Sequence, residues 1–375
     1  MARAPRHILA VRFSALGDVA MAIPVIYALA AANPRTRFTV LTKPGPARIF
    51  LNPPKNVRVL PIHLPGNPLG DSRALWHAIS EASREVKVDM VVDLHDVLRT
   101  RLLQGICALR GIPFRRFDKA RAAKRALIAH KPGAAPVTPT PARYLAAFPP
   151  SLRPPKPFPG LFPKGADPAA FHTLTPPKRP GERWLGIAPF AAHPGKVYPP
   201  ELMRRVVDDL AWLGSTRIFL FGGGPREEAI LRDWAAPHGN VISVAGSGIG
   251  FPGELALMSH IDAILTMDSA NMHLAALTQT PTLTLWGPTH PNLGFTPQQP
   301  TPQPQTAPSD KPAPQTTPQH IHLLLNLPCQ PCSAFGNRPC TKGDHPCLSK
   351  ITPQQIQTAL LSLLPPAARS KTISL

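Results

Sequence analysis

No apolar run in this chain approaches the ~20 residues that a membrane-spanning helix needs, so no such helix is expected. Nor is there a leader pattern of basic residues followed by an apolar stretch, and the expectation is a cytoplasmic protein. Acidic residues are scarce, 21 against 41 lysines and arginines, and the resulting charge of +20 calls for an anionic partner: nucleic acid, an acidic membrane surface or phosphorylated sugars. Aromatic residues make up only 6%, with no RNP-type aromatic motif and no zinc-finger spacing of the Cys/His kind. That puts nucleic acid last among the three. No Asp-x-Asp pair offers a magnesium site, and no short tandem repeat is present.

What is present is length and alternation. At 375 residues the chain can form two α/β domains with their own cores, and a hydrophobic content of 43% suits a soluble globular protein. Short apolar runs at Ile8–Phe13, Arg37–Thr42, Val57–Ile62 and Asp89–His95 alternate with helical stretches at 19–32, 71–87 and 97–109. The pattern repeats at Arg183–Phe190, Arg217–Phe221, Asn240–Ala245, Ala263–Met267 and Thr282–Trp286. Runs of this kind separated by helices predict parallel sheets covered on both faces. Between 131 and 180 prolines are dense and only 141–148 and 167–171 look helical, which reads as an interdomain connection. The domains expected are therefore 1–150, a Pro-rich connection over 151–181, and 182–350, then a helix and tail over 351–375. An insertion at 297–319, almost all Pro, Gln, Thr, Ala and Ser from Gln298, lacks the apolar residues to offset folding entropy and is expected to be disordered.

Three strand-loop-helix corners carry the chemistry. Met267-Asp268-Ser269-Ala270-Asn271-Met272-His273 ends an apolar run, and Ser269 is placed to cap the following helix, whose free N–H groups and dipole favour an anion. Ser14-Ala15-Leu16-Gly17-Asp18 turns out of the first strand, so Asp18 sits at a strand's carboxyl end, where open α/β sheets put their ligands. Ala192-His193-Pro194-Gly195-Lys196 brings a lysine into the third corner. Each taken singly is an ordinary corner; together they mark a polar site.

These corners resemble the glycosyltransferase family typified by ADP-heptose:lipopolysaccharide heptosyltransferases. Its members open with a strand, a Gly-Asp turn and a helix with an early proline, here Gly17-Asp18 and Pro24. They also carry a Lys-bearing loop and an Asp-(Ser/Thr)-Gly-x-x-His motif, in which Ala270 replaces the usual glycine. The resemblance spans Ile8 to Gly294 and resumes from Leu327. It implies two Rossmann-like, doubly wound domains facing across a cleft, the GT-B architecture. It also implies an inverting transfer of heptose from ADP-heptose to a lipopolysaccharide core or related lipid-linked acceptor, at the inner face of the inner membrane.

In that reading Asp18 is the general base and Lys196 neutralises the leaving diphosphate without a catalytic metal. The donor falls to His193, Gly222, Gly223, Glu227, Asp268, Ser269, Ala270, Met272 and His273. His95, Arg99 and Arg101 belong to the acceptor side, although helix capping accounts equally for His95. Lys119, Arg121, Lys124 and Arg125, in the basic run from Arg115, are assigned to the acceptor and to an anionic membrane surface. Two rivals stand beside this reading: a same-fold transferase using another nucleotide sugar, and a non-catalytic nucleotide-sugar or polyanion binder.

Four of the five cysteines cluster at Cys329, Cys332, Cys340 and Cys347. In a reducing compartment closely spaced thiols point to a metal, with structural zinc favoured over an iron–sulfur cluster or disulfides. Cys107, alone in an apolar helix, reads as core.

Overall fold

The computed structural model describes residues 4–297 and 320–364; the insertion expected to be disordered therefore lies, from Gln298, outside the described residues. In the first half the elements are β1 (His7–Val11), α1 (Leu16–Ala32), β2 (Arg37–Thr42), α2 (Pro44–Ala47), β3 (Val57–Pro61), α3 (Pro68–Ala82), β4 (Met90–Asp93), α4 (Leu98–Leu109), β5 (Phe114–Arg116), α5 (Arg121–Ile128) and α6 (Thr140–Ala147). The second half continues with β6 (Arg183–Ala188), α7 (Pro200–Ala211), β7 (Thr216–Leu220), α8 (Pro225–Ala235), β8 (Val241–Ser243), α9 (Gly250–Met258), β9 (Ala263–Met267), α10 (Ala270–Leu277), β10 (Thr282–Leu285), β11 (His320–Leu323), α11 (Pro346–Ser349) and α12 (Pro353–Leu361).

The strands form two parallel sheets, ordered β3-β2-β1-β4-β5 and β11-β10-β9-β6-β7-β8. In each sheet the order reverses direction once, between β1 and β4 and between β6 and β9. At such a reversal the loops leave to opposite sides and open a crevice beyond the strands' carboxyl ends. Asp18 and His95 follow the first pair of strands, Lys196 and Asp268 the second. The fold thus supplies two crevices, each with the residues the corners carry.

What brings the crevices together is the packing of α1 on α10. α1 is apolar nearly all round, with thirteen of its seventeen residues buried, as a helix enclosed on every side must be. One hydrophobic core runs from Ile8, Ile23 and Tyr144 in the first half to Leu255, Leu274 and Ala275 in the second. Gly17 lies in this seam against α10. A methyl group on it would stand 2.9 Å from His273 Cδ2 and 3.4 Å from Ala270 Cα.

Some elements differ from the sequence reading. α3 ends at Ala82 rather than 87, because the chain beyond turns inward and Val86 O accepts a hydrogen bond from His7 Nδ1 at 2.8 Å. The basic run is not one solvated helix face, since Arg115 and Arg116 lie in strand β5 and Arg121 onward in α5. Pro168–Ala170 makes a single 3₁₀ turn. Among the described residues no helix is long and apolar enough to cross a membrane.

Candidate active site

A cavity of about 570 Å³ opens between the two halves, with Asp18, His95, Lys124 and Tyr144 from the first and Phe295 and Ser333–Phe335 from the second among its walls. Asp18 is the one carboxylate lining it among the described residues. Its side chain is 27% exposed and pairs with Arg12. Arg12 is itself nearly buried, and its second arm donates to Leu94 O at 2.6 Å. The guanidinium therefore bridges the ends of β1 and β4 and fixes the carboxylate at the mouth of the crevice. Nothing in the sequence alone separated Arg12 from an ordinary strand residue.

The other acids near the cleft are already occupied. Asp93 is fully buried and accepts from the N–H groups of His95 and Asp96 and from Arg116. Asp96 gathers Arg101 at 3.1 Å, Arg116 at 3.3 Å and Arg121 at 2.8 Å. A carboxylate surrounded in this way cannot turn toward a ligand in the cavity without giving up several charge-assisted bonds at once. Asp18, held by Arg12 and by the Ala15 N–H at 3.4 Å but with a face open to the cavity, is the carboxylate placed to take a proton.

Across the cleft, Lys196 Nζ lies 3.1 Å from Asp268 Oδ2, which also accepts from Thr289 Oγ1 at 2.7 Å. Asp268 is thus a buried holder of Lys196, not a free acceptor beside the helix. Ser269 occupies the N-cap position of α10 in extended backbone, as expected. Its hydroxyl, however, makes no capping bond and is buried without a partner. His273, one turn on, is 7% exposed with Nδ1 likewise unpartnered. Burial pushes its pKa down to about 4, against the opposing pull of Asp268 and Asp18, so the ring is neutral near pH 7. A free helix N-terminus with two buried, unsatisfied polar side chains is a site prepared for an anion.

The remaining expected residues divide clearly. Lys119, Arg121, Lys124, Arg125 and His95 line the cavity. Lys119 Nζ donates to Asp96 O at 2.8 Å. Lys124 is buried over the Phe295 ring, 3.8 Å from its centroid, and burial beside Arg143 lowers its pKa to about 7. His95 packs edge-on to Phe13, and burial with Arg12 nearby depresses it to about 3. Lys119, Arg121, Lys124 and Arg125 thus reach the cleft, where Lys119 and Arg121 meet Asp96, while Arg115, Arg121 and Arg125 remain exposed to solvent.

Arg99 and Arg101 do not reach the cavity. Arg99 is held by buried Asp71 at 2.7 Å, and Arg101 by Asp96. Gly222 serves packing, since a methyl there would sit 2.8 Å from Leu231 Cδ1. The Gly223 N–H is taken by Glu227 Oε2 at 2.8 Å, so this carboxylate braces the glycine loop. Met272 is fully buried, and half-buried His193 opens the turn leading to Lys196. Ala270 begins α10 against Gly17.

The four clustered cysteines are free thiols on one stretch. Burial raises Cys347 to about 12, with Cys332, Cys340 and Cys329 all near enough to add to the effect. Among the described residues no group of three or more His, Cys, Asp or Glu is arranged to hold a metal ion. Cys107 is buried in the core, as expected. Arg12, Arg143, Tyr144, Thr289, Phe295, Phe335 and Arg338 complete the site or its supports and were not singled out from sequence; their roles depend on contacts between distant segments.

Two doubly wound sheets facing one cleft make the GT-B architecture. The profile of glycosyltransferase family 9 (heptosyltransferase) matches residues 76–333, and the chain belongs to that family. Among solved structures it is similar to Escherichia coli heptosyltransferase WaaC with ADP, at 20% identity and a TM-score of 0.61 over 95% of this chain and 99% of that one. A family 9 glycosyl transferase from Veillonella parvula is 17% identical, with a TM-score of 0.67 over 97% and 98% of the two chains. E. coli ADP-heptose lps heptosyltransferase II is 18% identical, with a TM-score of 0.64 over 95% and 98%. None of the curated proteins matches the chain in sequence.

Proposed function

We propose that this glycosyltransferase moves heptose from ADP-heptose to a lipopolysaccharide core or related lipid-linked acceptor, with inversion at the anomeric carbon. The observation that carries the proposal is His273 at the α1–α10 seam, which lies near enough to Asp18 from one half and to the Lys196–Asp268 pair from the other to feel the charge of each. The diphosphate of the donor would lie on the α10 N-terminus, taking hydrogen bonds from Ser269 and the free N–H groups, with Lys196 countering its charge as the bond to the sugar breaks. Asp18 would accept the proton of the attacking hydroxyl from the opposite side of the sugar, which is what inversion requires. Arg12 acts by positioning that carboxylate.

Support for an adenine nucleotide comes from the ADP named with the WaaC structure. Lys119, Arg121, Lys124 and Arg125 make the acceptor side strongly cationic, matching a phosphate- or carboxylate-bearing saccharide. A lipid-linked acceptor would place the enzyme at the inner face of the inner membrane. The cysteine stretch is proposed to hold one structural zinc ion, on the strength of four free thiols gathered on 19 residues.

A screen of ADP-, UDP- and GDP-sugars by thermal shift, followed by transfer assays with lipopolysaccharide acceptors, tests the reading. Preferential stabilisation by ADP-heptose together with turnover supports it. Preference for a UDP- or GDP-sugar would replace the donor, and binding without transfer would make the chain a binder.

A further inference from the structure

The cysteine-bearing stretch reaches further into the site than a remote structural clip would. Its near end is pinned to the loop after β10, where Gln330 Nε2 donates to Gly287 O at 2.6 Å and the N–H groups of Cys332 and Ser333 donate to Pro288 O at 3.0 and 3.1 Å. Its far end is sealed by Cys347 and Leu348 in the hydrophobic core of the second half. Between these anchors, Ser333 is buried and its Oγ accepts from Gly336 N at 2.9 Å, folding the segment into a tight turn.

That turn fits against the Lys196 loop. Gly336 has a φ of +71°, and a methyl on it would collide with Lys196 Cγ, while a methyl on Gly195 would come within 2.7 Å of Gly336 O. The Gly336 backbone therefore packs directly against the Gly195 backbone and along the side chain of Lys196. The outer face of the same turn lines the cavity in front of Asp18 with Phe335 and Arg338. Phe335 is half exposed and lies 6.0 Å from the Phe295 ring. Arg338 is exposed and has no ion-pair partner among the described residues, in contrast to Arg101 and Arg121 on the opposite side.

We propose that the turn Ser333–Arg338 is the specificity wall of the acceptor cavity: Phe335 offers an apolar platform to a sugar ring, and Arg338 binds an anionic group of the saccharide. The inference rests on the proposed transfer reaction for the identity of the ligand, but its site is the wall itself. Arg338 faces the basic side of the first half, so an acidic saccharide between them would draw both halves of the chain onto one ligand. An unpaired guanidinium suits either a phosphate or a sugar carboxylate, since both accept its forked donors.

The test is calorimetric binding of a lipopolysaccharide core oligosaccharide to the full chain, with ADP titrated in parallel. Arg338→Ala should weaken oligosaccharide binding by about tenfold or more and Phe335→Ala should weaken it too, with ADP affinity kept within about twofold. Arg84→Ala removes the same charge just past α3 and should change neither. Removing the phosphates of the oligosaccharide identifies the source: an Arg338 effect that vanishes assigns the contact to phosphate, one that persists assigns it to a carboxylate, and both uphold the wall. Oligosaccharide binding by Arg338→Ala equal to that of the native chain or of Arg84→Ala overturns it, as does absence of binding to the native chain. The two readings separate cleanly. If the binding results are as expected but ADP-heptose is never turned over, the wall stands and the transfer reaction falls; if transfer proceeds with both wall variants unaffected, the reverse holds.

Discussion

Replacing Gly17 by alanine measures how tightly the two crevices are held together. On an isolated helix the change would be favourable by up to about 1 kcal/mol, because alanine loses less backbone freedom than glycine and Gly17 needs no left-handed conformation. In this protein the added methyl would stand 2.9 Å from His273 Cδ2 and 3.4 Å from the backbone at Ala270. His273 is buried within α10, so relieving the overlap means shifting its packed ring or the helix, which should cost about 1–3 kcal/mol. The strain is relieved most easily by parting α1 from α10. A displacement of even about 1 Å there separates Asp18 from the anion site and should lower kcat/KM by roughly 100-fold. Steady-state kinetics and thermal unfolding of Gly17→Ala, with Gly17→Ala/His273→Ala as the relieving double variant, measure the two effects. The double variant should recover the stability lost by the single one. A Gly17→Ala protein that melts higher than the native chain and keeps its kcat/KM would refute the tight seam.

Three further outcomes follow from the site. With burial depressing its pKa to about 7, Lys124 is an ammonium below that pH and neutral above it, so acceptor KM should rise as pH passes 7, and Lys124→Met should abolish that rise. The linked stability runs the other way: between pH 7 and about 10.4 the unfolded chain binds the extra proton, so this group's contribution increases with pH across that window. Lys196→Ala removes a partner of buried Asp268 and the charge opposite the leaving diphosphate, so it should raise the Kd for ADP and lower kcat, each by about tenfold or more; an unchanged ADP titration would contradict its placement. Elemental analysis of anaerobically purified protein should find about one zinc per chain, and metal-free, fully folded protein would show the thiols to be independent of any ion.

The elements legible in the sequence are those whose signal is local. The Gly17-Asp18 start of α1, the Lys196 loop and the Asp268-Ser269 corner each follow an apolar strand, and strand order places their ends at the two reversals. α9 was hidden by its own composition: Pro252 falls in its first turn, where a missing N–H costs nothing, and Gly253 is needed because a methyl there would meet Ala170 O at 2.8 Å. β5, with two arginines in three residues, and β11, beyond the Pro- and Gln-rich stretch, gave no apolar run to detect. Arg99 was assigned to the acceptor because it lies near a strand end, yet Asp71, 28 residues earlier, claims it. Competition of that kind is settled by tertiary packing, as is the arrival of Arg338 beside Asp18 from more than 300 residues away.

The central claim is that Asp18 takes the acceptor proton while the donor is held from the other side of the cleft. Asp18→Asn keeps the size of the side chain but removes the basic oxygen. The decisive measurement is its single-turnover rate with saturating ADP-heptose and lipopolysaccharide acceptor, beside its Kd for ADP. The account predicts a rate lowered by roughly 10²–10⁴-fold with ADP affinity nearly unchanged. A rate retained at saturating donor, with ADP binding lost instead, would contradict it and make Asp18 a donor contact.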